Sequence, residues 1–162
     1  MATAWLLDCA WPPTAAQRAG GFHFWRSADG RRGRAYAAQS ARPAADWTAL
    51  ECLQVIEGRA SGAVAVCHYT VETDVPPEHE SEFNAWYKQE HLACLADVPG
   101  TIRAVRYRRL SGSPLYLACY DLLSPVALER PEWLAARHSA WSSRVRPHFR
   151  NTQRTLHFRA EG

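Results

Sequence analysis

A histidine one helical turn beyond a tyrosine, on a face otherwise built from aromatic and aliphatic residues, is a pair that can move a proton. In the stretch ESEFNAWYKQEHLACL, residues 80–95, Phe83, Tyr87, His91 and Leu95 fall at i, i+4, i+8 and i+12, with Trp86, Glu90 and Cys94 on the adjoining row. The apolar stripe of a helix therefore carries an imidazole, which out of water needs partners for both ring nitrogens. Its titration near neutral pH suits a general base or acid, and Tyr87 is placed to donate to the same ligand oxygen. His68 lies in an alternating strand and joins the pair if its face of that strand turns toward the helices. Such a set removes a proton beside a carbonyl and stabilises the enolate. That step is shared by lactone isomerisation, aldol cyclisation and β-keto acid decarboxylation, and it requires no metal or organic cofactor. The competing reading is a core histidine satisfied by a backbone carbonyl or a nearby carboxylate.

Other side chains offer less. Arg106 suits bidentate capture of a substrate carboxylate, although strand arginines usually lay their stems along the sheet and leave the head in water. His138 and His148 flank a Trp/Arg-rich stretch and read as surface groups, whereas Trp133 and Trp141 read as core or interface. Nucleophilic triads, P-loops and dinucleotide fingerprints are absent from the sequence, and no His, Cys, Asp or Glu cluster has metal-ligand spacing. The five cysteines are odd in number and far apart, which points to a reducing compartment. With a net charge of +3 spread along 162 residues, the chain has no clustered basic face for nucleic acid. No apolar run approaches a membrane span, and the N-terminal residues lack a basic leader, so the reading is a cytoplasmic protein without membrane or nucleic-acid partners.

The elements that must position these groups follow from punctuation and period. A short strand over residues 4–9 stops at Pro12-Pro13, and strands over 34–39 and 47–56 are expected to face each other. After the break at Gly58–Gly62, residues 63–71 alternate as a strand. Pro76-Pro77 and Glu78, Glu80 and Glu82 then open the long helix, and Asp97-Val-Pro-Gly100 closes it. Strands over 101–110 and 115–122 form a hairpin; Pro131 splits a second helical region from 125 to about 146, and residues 152–159 end as a strand. From residue 63 the order is β-α-β-β-α-β, an α+β, ferredoxin-like plan. Residues 1–62 then form a β-rich N-terminal extension, or a degenerate half-repeat in which 34–39 and 49–55 overlay 103–107 and 114–120.

Phe83-Asn-x-Trp86-Tyr87-x-x-Glu90-His91-Leu92, Val98-Pro-Gly100, Arg106-Tyr107 and Tyr116-Leu-x-x-Tyr120 resemble the EthD-type branch of the dimeric α+β barrel superfamily. The resemblance covers roughly residues 63–160. It implies two βαββαβ sheets packed face to face into a barrel, usually between two subunits of a homodimer, with a pocket between each sheet and its helices. His91 and Tyr87 would face that pocket as catalytic groups with His68. Trp86, Phe83, Arg106, Tyr116 and Tyr120 would bind a small hydrophobic or aromatic substrate. Relatives of this kind include lactone isomerases, polyketide cyclases, anthrone-type decarboxylases, and haem-handling or quinone-forming monooxygenases. The expected activity is a cofactor-independent lyase or isomerase acting on an aromatic, polyketide-like or lactone substrate. A monooxygenase of the same fold, with or without haem, is the alternative, and a non-catalytic ligand-binding or assembly protein is the other. The first sixty residues and the split second helix depart from the family pattern.

Overall fold

A computed structural model describes residues 3–41 and 43–161. The described strands are β1 (Ala4–Ala10), β2 (Phe24–Ser27), β3 (Arg32–Ala38), β4 (Thr48–Glu57), β5 (Cys67–Asp74), β6 (Thr101–Arg109), β7 (Tyr116–Leu122) and β8 (Arg150–Arg159). They close within this one chain into an antiparallel barrel in the order β1-β3-β2-β8-β5-β7-β6-β4. The neighbours run β4-β1-β3-β2 in one arc and β8-β5-β7-β6 in the other, so each set of four repeats the same order counted from its own first strand. Closure leaves no sheet edge exposed among these strands.

Three expectations about the strands need correction. β3 and β4 do not face each other, because both pair with β1. The matching strand orders align β3 with β7 and β4 with β8, so the overlay read from the sequence was one strand out of step. The strand expected over 63–71 begins only at Cys67, and Val64 and Val66 lie exposed ahead of it. In each case residue alternation marked a strand without saying which neighbour its backbone would bond.

Helices lie against the outer face of β5–β8. α1 (Ala15–Arg18) belongs to the first half; α2 (Pro77–Trp86), a π-helical turn (Tyr87–His91) and α3 (Leu92–Ala96) connect β5 to β6. A 3-10 turn (Pro125–Glu129), α4 (Pro131–Arg137) and α5 (Ala140–Val145) connect β7 to β8. Pro77 occupies the first turn of α2 with Glu78 and Glu80 beside it, as the sequence requires. Pro131 starts α4, and Ser139 caps α5 by accepting from the Ser142 N–H. Phe83, Trp86, Leu92 and Leu95 bury against Tyr120, Leu122, Trp133 and Val145, forming the main core. Without such helices, the outer face of β1–β3 is covered by aromatic loop residues, Phe22 against Trp47 at 4.7 Å between centroids. No helix among the described residues is long and apolar enough to cross a membrane.

Inside the barrel, Leu6, Leu50 and Leu117 make an apolar waist. Below it, Arg34 binds Asp8 through Nε and Nη2 at 2.6 and 3.0 Å and reaches Glu72 at 3.1 Å. Arg109 donates to the other oxygen of Glu72 at 2.7 Å. Two guanidinium groups and two carboxylates from β1, β3, β5 and β6 thus neutralise one another across the barrel. At one rim Gly58 runs so close to β6 that a Cβ would sit 2.2 Å from the Thr101 carbonyl oxygen.

Candidate functional site

The pocket nearest the expected chemistry lies between the helices and the outer face of β5, β7 and β8. Successive strand residues point to opposite faces, so Tyr69, Val71, Tyr120 and Arg154 project from the sheet toward Trp86, Tyr87 and His91. Trp133 and Arg137 come from α4, and Arg146 and Phe149 from the turn before β8. The partly open cavity measures about 30 Å³, room for one or two waters. Arg154 is exposed and Arg137 and Arg146 are half-buried, so the wall toward solvent consists of three long, flexible guanidinium side chains.

The helix geometry around His91 differs from the expected α-helical row. Tyr87–His91 is a π-helical turn in which the Leu92 N–H donates to the Tyr87 carbonyl, five residues back. Side chains five apart then come into line. His91 stacks flat on Trp86, with centroids 4.1 Å apart and planes 19° apart, and meets Tyr87 only edge-on at 5.4 Å. Trp86 is itself fixed by its Nε1–H, which donates to Ser142 Oγ at 3.1 Å. His91 is 6% exposed, and its Nδ1 has no hydrogen-bond partner among the described residues. Burial, then the charges of Arg146 and Arg137, push the imidazole down to about 3, partly offset by the Ala136 backbone. It is neutral at physiological pH. Burial likewise pushes the Tyr87 hydroxyl up to about 12, against the pull of Arg106 and Arg154.

Charge in the pocket is one-sided. No carboxylate lines it, and Arg137, Arg146 and Arg154 have no ion-pair partner among the described residues. The pocket therefore presents three guanidinium groups and a neutral imidazole within aromatic walls, an arrangement complementary to an aromatic anion.

The expected site residues divide among three places. Trp86, Tyr87, His91 and Tyr120 line the pocket together. Phe83, Arg106 and Tyr116 sit beside it in the packing between α2 and the sheet. The Arg106 guanidinium lies 4.2 Å from the Tyr87 ring centroid and donates to Asn84 Oδ1 at 2.9 Å, while Tyr116 donates to Glu80. Arg106 is neither at an edge nor snorkelling; it is 3% exposed and braces the helix. His68 does not join the helices. It points into the barrel, where Nδ1 meets Asp121 at 2.7 Å and Nε2 meets the Tyr36 hydroxyl at 2.8 Å, and its neighbour Tyr69 takes the helix-facing position. Alternation placed His68 and Thr70 on one face correctly but did not say which face was inside. The three arginines were missed, although Trp133 and Arg137 lie one helical turn apart and Arg154 shares its strand face with Leu156.

No family model matches the sequence, and no curated protein matches it. Solved structures match it along nearly their whole length. A major regulator of staphylococcal pathogenesis is 9% identical with a TM-score of 0.74, covering 98% of this chain and 99% of its own. A haem-degrading enzyme from Listeria monocytogenes is 10% identical with a TM-score of 0.65, covering 96% and 99%. A ferredoxin-fold protein related to antibiotic biosynthesis monooxygenases, also from Listeria monocytogenes, is 10% identical with a TM-score of 0.66, covering 100% and 97%. At these identities the likeness is one of fold: α+β, ferredoxin-like, shared with monooxygenase-related proteins.

Proposed function

We propose that this protein is an enzyme acting on a small anionic aromatic or polyketide-like substrate in the pocket between the helices and the sheet, where His91 handles the proton at the reacting centre. The observation that carries this reading is that Arg137, Arg146 and Arg154 line one pocket together with the buried His91, with no carboxylate among the described lining residues. An imidazole held near 3 is too weak a base to act in the empty pocket. Binding an anion beside Arg137 and Arg146 cancels the two charges that help depress it, so the substrate itself raises the basicity of His91. The ring then takes a proton from carbon beside a carbonyl, and the guanidinium groups hold the resulting enolate. A ring-sized substrate enters by swinging the arginine side chains outward, which needs no change in the sheet. The EthD-type likeness of the residue 83–92 motif is part of the same proposal.

The enolate has two fates. Rearrangement, ring closure or loss of carbon dioxide gives a cofactor-independent lyase or isomerase. Capture by O₂ gives a monooxygenase, and this second reading is favoured by the fold likeness to proteins related to antibiotic biosynthesis monooxygenases. Haem, suggested by another fold neighbour, does not fit these residues, because the one histidine among the described lining residues, His91, lies flat on Trp86 and is not presented to an iron.

The test is exchange of the α-hydrogens of a carboxylated aryl ketone into deuterated water, followed by NMR, with dissolved O₂ recorded in parallel. Exchange with the wild type, lost in His91→Phe while ketone binding persists, supports the proton transfer, and O₂ uptake separates the two fates. Binding should weaken about tenfold or more in Arg146→Gln, from loss of a charge-assisted hydrogen bond. Exchange that survives in His91→Phe sinks the proposal.

A further inference from the structure

A second constellation lies on the other side of the sheet, inside the barrel, and shares no residue with the helix pocket. Asp121 Oδ1, His68, the Tyr36 hydroxyl and Cys119 Sγ form a chain with separations of 2.7, 2.8 and 3.5 Å. The four come from β7, β5, β3 and β7, so the barrel's closure assembles them from both halves. The chain ends on a cavity of about 190 Å³ lined by Trp25, Tyr107, Val105 and Arg103, the last also ion-paired with Glu57 at 3.8 Å. That volume exceeds the roughly 150 Å³ in which an apolar cavity holds benzene. Trp25 stacks on His68, centroids 5.1 Å apart and planes 22° apart, and Tyr107 stacks on Tyr36 at 6.0 Å and 21°. Both flat walls favour a planar guest.

The polarity of the chain is fixed by Asp121. A carboxylate only accepts, so His68 carries its proton on Nδ1 and Nε2 accepts from Tyr36. The Tyr36 oxygen keeps a lone pair for the next donor. Burial holds the Tyr36 hydroxyl well above its ordinary range and pushes the Cys119 thiol up to about 12, so neither ionises by itself.

We propose that this cavity is a second binding site, for a single-ring phenol, in which Tyr36, His68 and Asp121 relay the phenol's proton inward and Arg103 faces the phenolate that remains. In that step the phenol O–H bond breaks, Tyr36 takes the proton on its oxygen while passing its own to Nε2 of His68, and Asp121 holds the imidazolium. Nothing is oxidised or reduced. Asp121 is a positioning residue that acts through His68. Among the described residues, the other titratable or charged groups around the relay include His157 on β8, Arg34 on β3, Glu72 on β5, Tyr107 and Arg103 on β6 with Glu57 paired to Arg103, Cys119 on β7, and His23 ahead of β2.

The probe is 4-nitrophenol, whose anion is yellow. With the wild type, the bound probe should ionise at a pH at least about one unit below that of the free probe, a tenfold change in its ionisation ratio. Tyr36→Phe and Asp121→Asn should bind the probe and lose that shift, because the stacking walls remain and the relay does not. Val105→Phe, which fills the cavity, should abolish binding, and it decides the matter should Tyr36→Phe fail to fold. Because the helix pocket also suits an aromatic anion, each measurement is repeated in an Arg137→Gln, Arg146→Gln background, where the Tyr36-dependent shift and its loss in the variants should persist. An unshifted probe in the wild type or, in that background, a shift that persists in Tyr36→Phe, binding that survives in Val105→Phe, or loss of binding altogether would each overturn the proposal.

Discussion

At the scale of single residues, Arg106 separates ligand binding from structural support. The sequence offers it as a carboxylate clamp, but its guanidinium lies over Tyr87 and within 5.2 and 5.4 Å of the Phe83 and Tyr116 rings, with one nitrogen on Asn84. Arg106→Lys keeps a charge but loses the planar group that stacks on three rings. The variant should unfold more easily by about 1–2 kcal/mol in urea and bind an aromatic carboxylate as the wild type does. Weakened binding at unchanged stability would return Arg106 to the ligand. The same residue shows how far a sequence reaches: period 2 groups Arg106 with Ala104 on one side of β6, and both do face the helices, but alternation did not say which side that would be. Its role depended on Tyr87 and Tyr116 arriving from other elements, which no local pattern encodes.

At the scale of elements, the decisive feature is the π-helical turn. A π turn amounts to one residue inserted into an α-helix, so the faces before and after it can both stay buried while the inserted turn bulges. Phe83 and Trp86 before it, and Leu92 and Leu95 after it, are all buried, while Lys88 and Gln89 are exposed. The helix itself was legible from its caps and apolar spacing; the bulge was not, because a strict four-residue spacing of Phe83, Tyr87, His91 and Leu95 reads as unbroken α-helix. Deleting Gln89 should convert the segment to α-helix with no loss of thermal stability. It should also lift His91 off Trp86 and weaken binding of an aromatic carboxylate about tenfold or more, as loss of a charge-assisted contact would. Circular dichroism melts and tryptophan quenching report the two effects separately. Retained binding would mean that the bulge does not position His91.

At the scale of the whole molecule, seven of the eight described strands were readable from alternation and turn residues, but β2 was ambiguous between loop and strand, and closure was not readable. Which strands become neighbours depends on pairings such as Trp25 with Arg159 and Leu50 with Arg109, between residues far apart in sequence. Closure also creates a polar interior, and this has a consequence for acid stability. His157 is 3% exposed inside the barrel; burial, then Arg34 and His68, push its ring down to about 3. In the unfolded chain the same ring titrates near 6.5. Between those values the unfolded chain holds a proton that the folded chain refuses, so stability is full above about 6.5 and is lost as pH falls toward 3, at about 1.4 kcal/mol per pH unit per ring. His91, also held near 3, adds the same slope from the other side of the sheet. Carboxylates contribute below their own range, so the slope is isolated by difference. His157→Gln has no ring to protonate, and its stability from urea titrations at successive pH values should decline less steeply than the wild type's by one proton's worth between pH 6 and 4. Equal slopes would show that the barrel accepts an imidazolium at position 157, with Asp8 and Glu72 as carboxylates of the same pocket able to hold it.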